Sequence, residues 1–255
     1  MLLDFLRPRL RPAGIHLAIS ALVAGLASLL VFQVWYPAPF ATIAGGTHLF
    51  LLLVSVDVVM GPALTAVVVS PGKRPRELVR DLAVIVVLQL AAFGYGLYSM
   101  ALARPVVLAF EIDLLRLVTA ADLEASGLKD APPDLRELSW RGPRLLAVVK
   151  PTDPAEQFRS VELGLAGVPL AMLPRYWRDY SQHADAAWRA ARPVDALTRR
   201  YPQAAAPLAR IAADAGQPLG ELRFMPLVSR QTSWVSVMAM PGARVVGHLP
   251  LDGFF

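Results

Sequence analysis

The chain has 255 residues, of which 55% are hydrophobic and 18% charged, a more apolar balance than soluble domains usually show. It contains no cysteine, which excludes disulfide bonds, thiolate metal sites and a cysteine nucleophile. The formal net charge is +5, but residues 104–255 carry 18 basic against 16 acidic side chains, which argues against a nucleic-acid-binding surface.

Three apolar runs near the N-terminus are each long enough to cross a bilayer. They occupy residues 15–36, 48–70 and 82–103, and a helix needs about 20 residues to cross a hydrocarbon core of roughly 30 Å. The first run is longer than the apolar core of a signal peptide and ends in Gln-Val-Trp-Tyr-Pro, so we expect it to be retained. The runs predict a membrane domain, residues 1–103, followed by a second domain, residues 104–255.

The charges that flank the spans predict their orientation. The linker at residues 37–47 has no charge, whereas basic residues precede the first span and lie between the second and third: Arg7, Arg9, Arg11, Lys73, Arg74, Arg76 and Arg80. Short basic segments remain in the cytoplasm. We therefore expect a bacterial inner-membrane protein with a cytoplasmic N-terminus and a periplasmic C-terminal domain.

After residue 104 the apolar residues alternate instead of forming long runs. Alternation over residues 106–117 predicts two strands, and Thr119-x-x-Asp122 is the capping box of a short helix that ends at Gly127. Further elements are strands at residues 145–149, 222–228, 233–240 and 244–249 and helices at residues 174–191 and 207–215. This order predicts an integral membrane α+β protein whose small periplasmic domain contains an antiparallel sheet.

The predicted helix at residues 174–191 combines Arg175, Arg178 and Arg189 with tyrosines and tryptophans. That composition is suited to docking a membrane surface or a partner helix. The alternative is an ordinary amphipathic helix, whose aromatic side chains face the core and whose arginines face solvent.

The chain lacks the sequence motifs of common enzymes. It has no phosphate-binding glycine loop, no His-Glu-x-x-His and no Gly-x-Ser-x-Gly. Glu111-x-Asp113 and Asp122-x-Glu124 have the spacing of an acidic metal-binding pair, but at a strand end they also fit a solvated turn. We predict a protein that is not an enzyme and binds no metal or cofactor.

Asp57 is the only charged residue inside a predicted span, where it costs a few kcal/mol unless partners are found. Counting from the outer ends of the spans at 1.5 Å per residue places Ser28 and Tyr95 at a similar depth, which predicts a hydrogen-bonded cluster of the three. Pro62 removes a backbone hydrogen bond to Val58 and predicts a kink. The cluster is either a docking site for another transmembrane helix or a lock within the bundle. Proton transport is disfavoured because no second buried charge continues a relay.

Motifs spread over essentially the whole chain carry a family resemblance. They are RLRPAGIHL at residues 9–17, VWYP at 34–37, VDVVMGP at 56–62, DLAVI at 81–85 with Gln89-Leu90, YGLY at 95–98, ARPV at 103–106 and LRFMPL at 222–227. Together they resemble the TfpX/TfpZ-type type IV pilin accessory proteins. None of these motifs is catalytic.

The resemblance implies an inner-membrane factor for type IV pilus biogenesis that acts as a pilin-specific chaperone or assembly factor. Its expected partners are the bilayer and the major pilin, which waits in the membrane as one apolar helix with a globular head outside. The alternative is a membrane enzyme that modifies the pilin or a lipid-linked sugar, which a cleft containing Glu111, Asp113 and Asp122 would favour.

Overall fold

The computed structural model of the protein describes residues 2–70, 72–123, 125–230 and 233–255, except for the side chains of residues 2–8, 125 and 126. The chain divides into two compact units, Met1–Ala103 and Arg104–Phe255.

Three long helices form the first unit, and all three are long and apolar enough to cross a membrane, as predicted. Their segments are α1 Leu2–Leu29 with a π-helical continuation Leu30–Trp35, then α3 Gly46–Ser55, π-helical Val56–Met60 and α4 Gly61–Val68, and finally α5 Pro75–Ala103, with the short α2 Phe40–Ile43 in the first connection. Many of their leucines and valines are exposed, among them Leu22, Leu52 and Leu88. Such surfaces are suited to contact with lipid tails, because the helices satisfy their own backbone hydrogen bonds.

One end of the bundle closes around Tyr36. The ring is fully buried, and its hydroxyl donates to the carbonyl of Met100 over 2.9 Å. Gly46 lies against this ring, because an added Cβ would be only 2.5 Å from Cδ1 of Tyr36. Phe32 packs edge-on against Phe50 with ring centroids 5.0 Å apart. Close packing around a small residue therefore joins the first, second and third helices at this end.

An eight-stranded mixed sheet organises the second unit, in the order β4-β3-β1-β2-β6-β7-β8, with β5 paired to β6. The strands are β1 Pro105–Glu111, β2 Leu114–Thr119, β3 Arg144–Val148, β4 Trp177–Asp179, β5 Arg192–Pro193, β6 Arg223–Val228, β7 Ser233–Ala239 and β8 Arg244–Leu249. The helices are α6 Pro154–Leu165, α7 Ala184–Ala190, α8 Val194–Arg200 and α9 Ala205–Ala215. The hairpin β7–β8 and the capping box of Thr119 and Asp122 form as predicted.

The prediction of an antiparallel sheet was only partly right. Strand β1 pairs in parallel with β3, and β2 pairs in parallel with β6. Alternating apolar residues identify a strand but not the direction of its neighbour. Long connections precede β3 and β6, and such connections permit parallel pairing, whereas tight turns enforce antiparallel pairing.

The prediction of one helix at residues 174–191 was wrong. A 3₁₀ turn at Pro174–Tyr176 leads into β4, and a second turn, Tyr180–His183, precedes α7. The buried Trp177 donates its indole N–H to the carbonyl of Ala171 over 2.9 Å, which fixes this side chain in the core of the sheet. Aromatic residues at helical spacing therefore reached the core from several short elements.

Candidate functional site

A groove runs between α1 and α5, the first and third helices of the first unit. Both pack chiefly against the second helix, which forms the floor between them. The groove encloses about 600 Å³, and its lining is mostly apolar: Arg11, Pro12, Ile15, His16, Ile19, Ser20, Val23 and Ala24 from α1; Val54, Asp57 and Thr65 from the floor; and Leu82, Val86, Gln89, Leu90 and Phe93 from α5. Its α1 wall extends for about 20 Å at 1.5 Å per residue.

The floor is interrupted where the second helix changes register. In the π-helical segment Val56–Met60, a carbonyl bonds to the N–H five residues later. For Asp57 that position is Pro62, which has no N–H. The side-chain amide of Gln89 donates to the Asp57 carbonyl over 3.2 Å and so supplies the missing donor. Gly61 permits this approach, because a Cβ there would lie 2.0 Å from Nε2 of Gln89.

The Asp57 side chain lines the groove at this break. It is only 8% exposed, and neither carboxyl oxygen has a hydrogen-bond partner among the residues that the structure describes. A buried polar group without a partner is rare, and it marks a strained or functional position. The predicted importance of Asp57 and Pro62 thus acquires a specific geometry, a backbone break that is satisfied by Gln89 beside a carboxyl that is not.

A second polar contact crosses the groove nearby. Nδ1 of His16 and Oγ1 of Thr65 lie 2.6 Å apart and form a hydrogen bond between α1 and α4. Thr65 is almost completely buried. This contact ties one wall of the groove to its floor without using the carboxyl of Asp57.

The structure does not bring Ser28 and Tyr95 to Asp57. Ser28 donates to the carbonyl of Gly25 in its own helix over 2.7 Å, and Tyr95 is 73% exposed on α5. The expected three-residue cluster is therefore wrong in its members. Sequence reasoning missed His16, Thr65 and Gln89, although each is a polar residue at or inside an apolar run and was visible as such.

The three arginines expected on one helix lie on different elements. Arg175 belongs to the turn Pro174–Tyr176, Arg178 to β4 and Arg189 to α7. Nη1 of Arg178 donates to the carbonyls of Arg175 and Trp177, over 3.0 and 2.6 Å. A single arginine-rich docking helix is therefore absent from this region, which the structure describes in full.

The acidic residues considered for a metal site also separate. Glu111 is buried and accepts from Nε of Arg116 over 2.8 Å and from the amide of Leu170 over 3.2 Å, so it does not form the solvated turn that was expected. Asp122 accepts from Thr119, Asp113 is exposed, and Glu124 lies outside the described residues. No group of three potential metal ligands occurs in the described part of the chain.

Comparison with known proteins gives full-length relatives. The chain is 35% identical to "Fimbrial assembly protein, serogroup I" and 34% identical to "Fimbrial assembly protein, serogroup E1", both from Dichelobacter nodosus, over 95% of each chain. It is 42% identical to the protein of serogroups C1 and C2 over 47% of this chain and 91% of that relative. The family model "Fimbrial assembly protein FimB" matches residues 4–45. No solved structure matches.

The matched residues 4–45 include most of the α1 wall of the groove, and the two longest alignments extend over both units. Identity above 30% along almost the whole of both chains establishes common membership, so this chain belongs to the fimbrial assembly protein family.

Proposed function

We propose that this protein is an inner-membrane accessory factor for type IV pilus biogenesis, of the TfpX/TfpZ type, that binds the major pilin before it is assembled. The observation that carries the proposal is the open groove between α1 and α5, with an unpartnered carboxyl in its floor. The curated relatives are named for fimbrial assembly, and a pilin helix embedded in the same bilayer is an occupant of suitable shape.

The groove has the form of a helix-binding site rather than that of an enzyme pocket. Exposed apolar side chains such as Ile19, Val86 and Leu90 line its walls. Helices associate in membranes by close packing supplemented with polar contacts, and this groove offers both. The relatives carry assembly names, which agrees with a role in binding and delivery.

The proposal includes an orientation. The basic residues before the first span and between the second and third keep those segments in the cytoplasm, which sends the second unit to the periplasm. A reporter that is active only outside the cytoplasm should work when it is fused after Phe255 or within residues 37–47. It should fail within residues 71–81, and activity there would contradict the orientation.

Deletion of the gene should leave the pilin synthesised but prevent its efficient display. We expect total pilin to change less than twofold, while sheared surface pili fall by about tenfold or more. Immunoblots of whole cells and of the sheared fraction measure the two quantities separately. Growth in this state should not alter the pilin's sequence or covalent mass, because the proposed action is binding.

Complementation supplies the control. The wild-type gene should restore pili with its own pilin and less well with a pilin of different sequence. Normal piliation in a deletion strain that carries no second copy of the gene would refute the proposal. A change in pilin mass after deletion would instead support the enzyme alternative.

A further inference from the structure

The polar groups of the groove differ in whether they are satisfied. His16 and Thr65 bond to each other, and Gln89 donates to the backbone carbonyl of Asp57. The carboxyl oxygens of Asp57 remain without a partner, although they are buried and face the same groove. Folding of the described residues therefore leaves one acceptor group prepared for a donor from outside.

Resting on the proposed function, we infer that the groove binds one transmembrane helix that places a single side-chain hydrogen-bond donor opposite Asp57. The carboxyl is complementary to a donor or a cation, and it is the strongest acceptor available in such a setting. Lipid tails have no donor to offer. A helix partner satisfies its own backbone and can still present one donor, which neither a loop nor a strand can do inside a bilayer.

The dimensions agree with a helical occupant. The α5 wall runs from Leu82 to Phe93, which is about 17 Å or three helical turns, and the α1 wall is slightly longer. Because α1 and α5 pack chiefly on the second helix, the space between them is available to a fourth helix. Asp57 lies in the floor, so the donor must be on the face of the occupant that contacts the floor.

Photocrosslinking from the two faces of α5 tests the occupant. Val86 lines the groove, whereas Leu88 is exposed and does not line it. Two residues turn a helix by about 200°, so these positions share a depth but face opposite directions. With a photoreactive residue in place of Val86, pilin should crosslink at least tenfold more than with one in place of Leu88, in cells that contain the full-length protein.

Substitution of Asp57 tests the donor. Asp57→Leu should lower the Val86 crosslink to pilin about tenfold, which corresponds to the loss of one hydrogen bond to a charged group. Asp57→Asn keeps an acceptor oxygen and should stay within threefold of the wild type. Each yield is divided by the amount of membrane-inserted protein, so that poor accumulation cannot mimic poor binding.

The partner's donor is then located. Each donor-bearing residue of the pilin's membrane helix is replaced by leucine in turn, and one replacement should reproduce the effect of Asp57→Leu. Combining that replacement with Asp57→Leu should cause no further loss, because both variants remove the same contact.

The remaining outcomes overturn different claims. A pilin crosslink that Asp57→Leu leaves intact, or the absence of any single donor position, would refute the inference and leave the proposed function standing. Crosslinks from Val86 to lipid alone would refute a helical occupant, and normal piliation after gene deletion would separately refute the proposed function.

Discussion

Asp57→Leu should make the isolated protein more stable. In the described structure the carboxyl is buried without a hydrogen-bond partner, so its removal leaves no other group unsatisfied. A buried unsatisfied polar group costs roughly 1–3 kcal/mol, and an aspartate at the centre of a membrane helix costs a similar amount on insertion scales. We expect the free energy of unfolding in detergent micelles to rise by about 2 kcal/mol. Circular dichroism during thermal unfolding measures the change.

The same measurement decides between the two roles that the sequence left open for Asp57. If the carboxyl were a lock between the three helices, Asp57→Leu would lower stability instead of raising it. Asp57→Asn is the matched control, because the amide remains polar and should recover less than half of the gain. A variant that is more stable but binds pilin less well would show that the carboxyl is kept for contact with a partner.

Gly46→Val should strongly destabilise the first unit. A Cβ at this position would lie 2.5 Å from Cδ1 and 2.7 Å from Cε1 of Tyr36. The ring cannot move aside easily, since it is fully buried and its hydroxyl is bonded to Met100. Overpacking costs about 1–3 kcal/mol and the lost hydrogen bond about 1 kcal/mol more. We therefore expect a loss of about 3 kcal/mol and a clear fall in membrane abundance.

Gly94→Val is the control for Gly46→Val. Gly94 lies within α5, and no atom outside its own helix backbone is within 4 Å of an added Cβ. Its substitution should change the free energy of unfolding by less than about 0.5 kcal/mol. Tyr36→Leu should partly rescue Gly46→Val by removing the ring, so the two changes should be clearly non-additive. Equal effects of the two glycine variants would disprove the tight contact.

The helices and strands were predictable from the sequence where a single physical constraint dominates. Span length alone identified the three membrane helices, and the predicted run at residues 48–70 differs from the observed Gly46–Val68 by two residues at each end. The turn at Pro241–Ala243 identified the hairpin of β7 and β8. Gly216 ends α9 with a φ of 64°, as its stop signal indicated.

Contacts between elements were harder to predict. Counting residues from a common outer plane paired Asp57 with Tyr95, but the observed partner of its backbone is Gln89, about 9 Å further along α5. The three spans contain 27, 23 and 29 residues, so equal offsets from their ends do not give equal depths. Depth counting also carries no information about which side of a helix a residue faces, which explains the misplaced Ser28.

The helix α6 shows a different limit of the sequence. Asp153 caps it by accepting from the amide of Ala155 over 3.2 Å, and Pro154 begins it, yet none of its side chains is buried. Its apolar residues Phe158, Val161 and Leu165 are exposed. The segment was missed because attention to core-forming stripes overlooks a helix that contributes nothing to the core.

The arrangement of the groove walls has a consequence for traffic in the bilayer. Since α1 and α5 are joined mainly through the second helix, the groove has a long side that faces the surrounding lipid. A client that is already embedded can enter sideways by displacing acyl chains, and its water-soluble head never has to be pulled through a closed ring. Release can follow the same lateral route, so loading and delivery require diffusion within the plane of the membrane rather than unfolding of either protein.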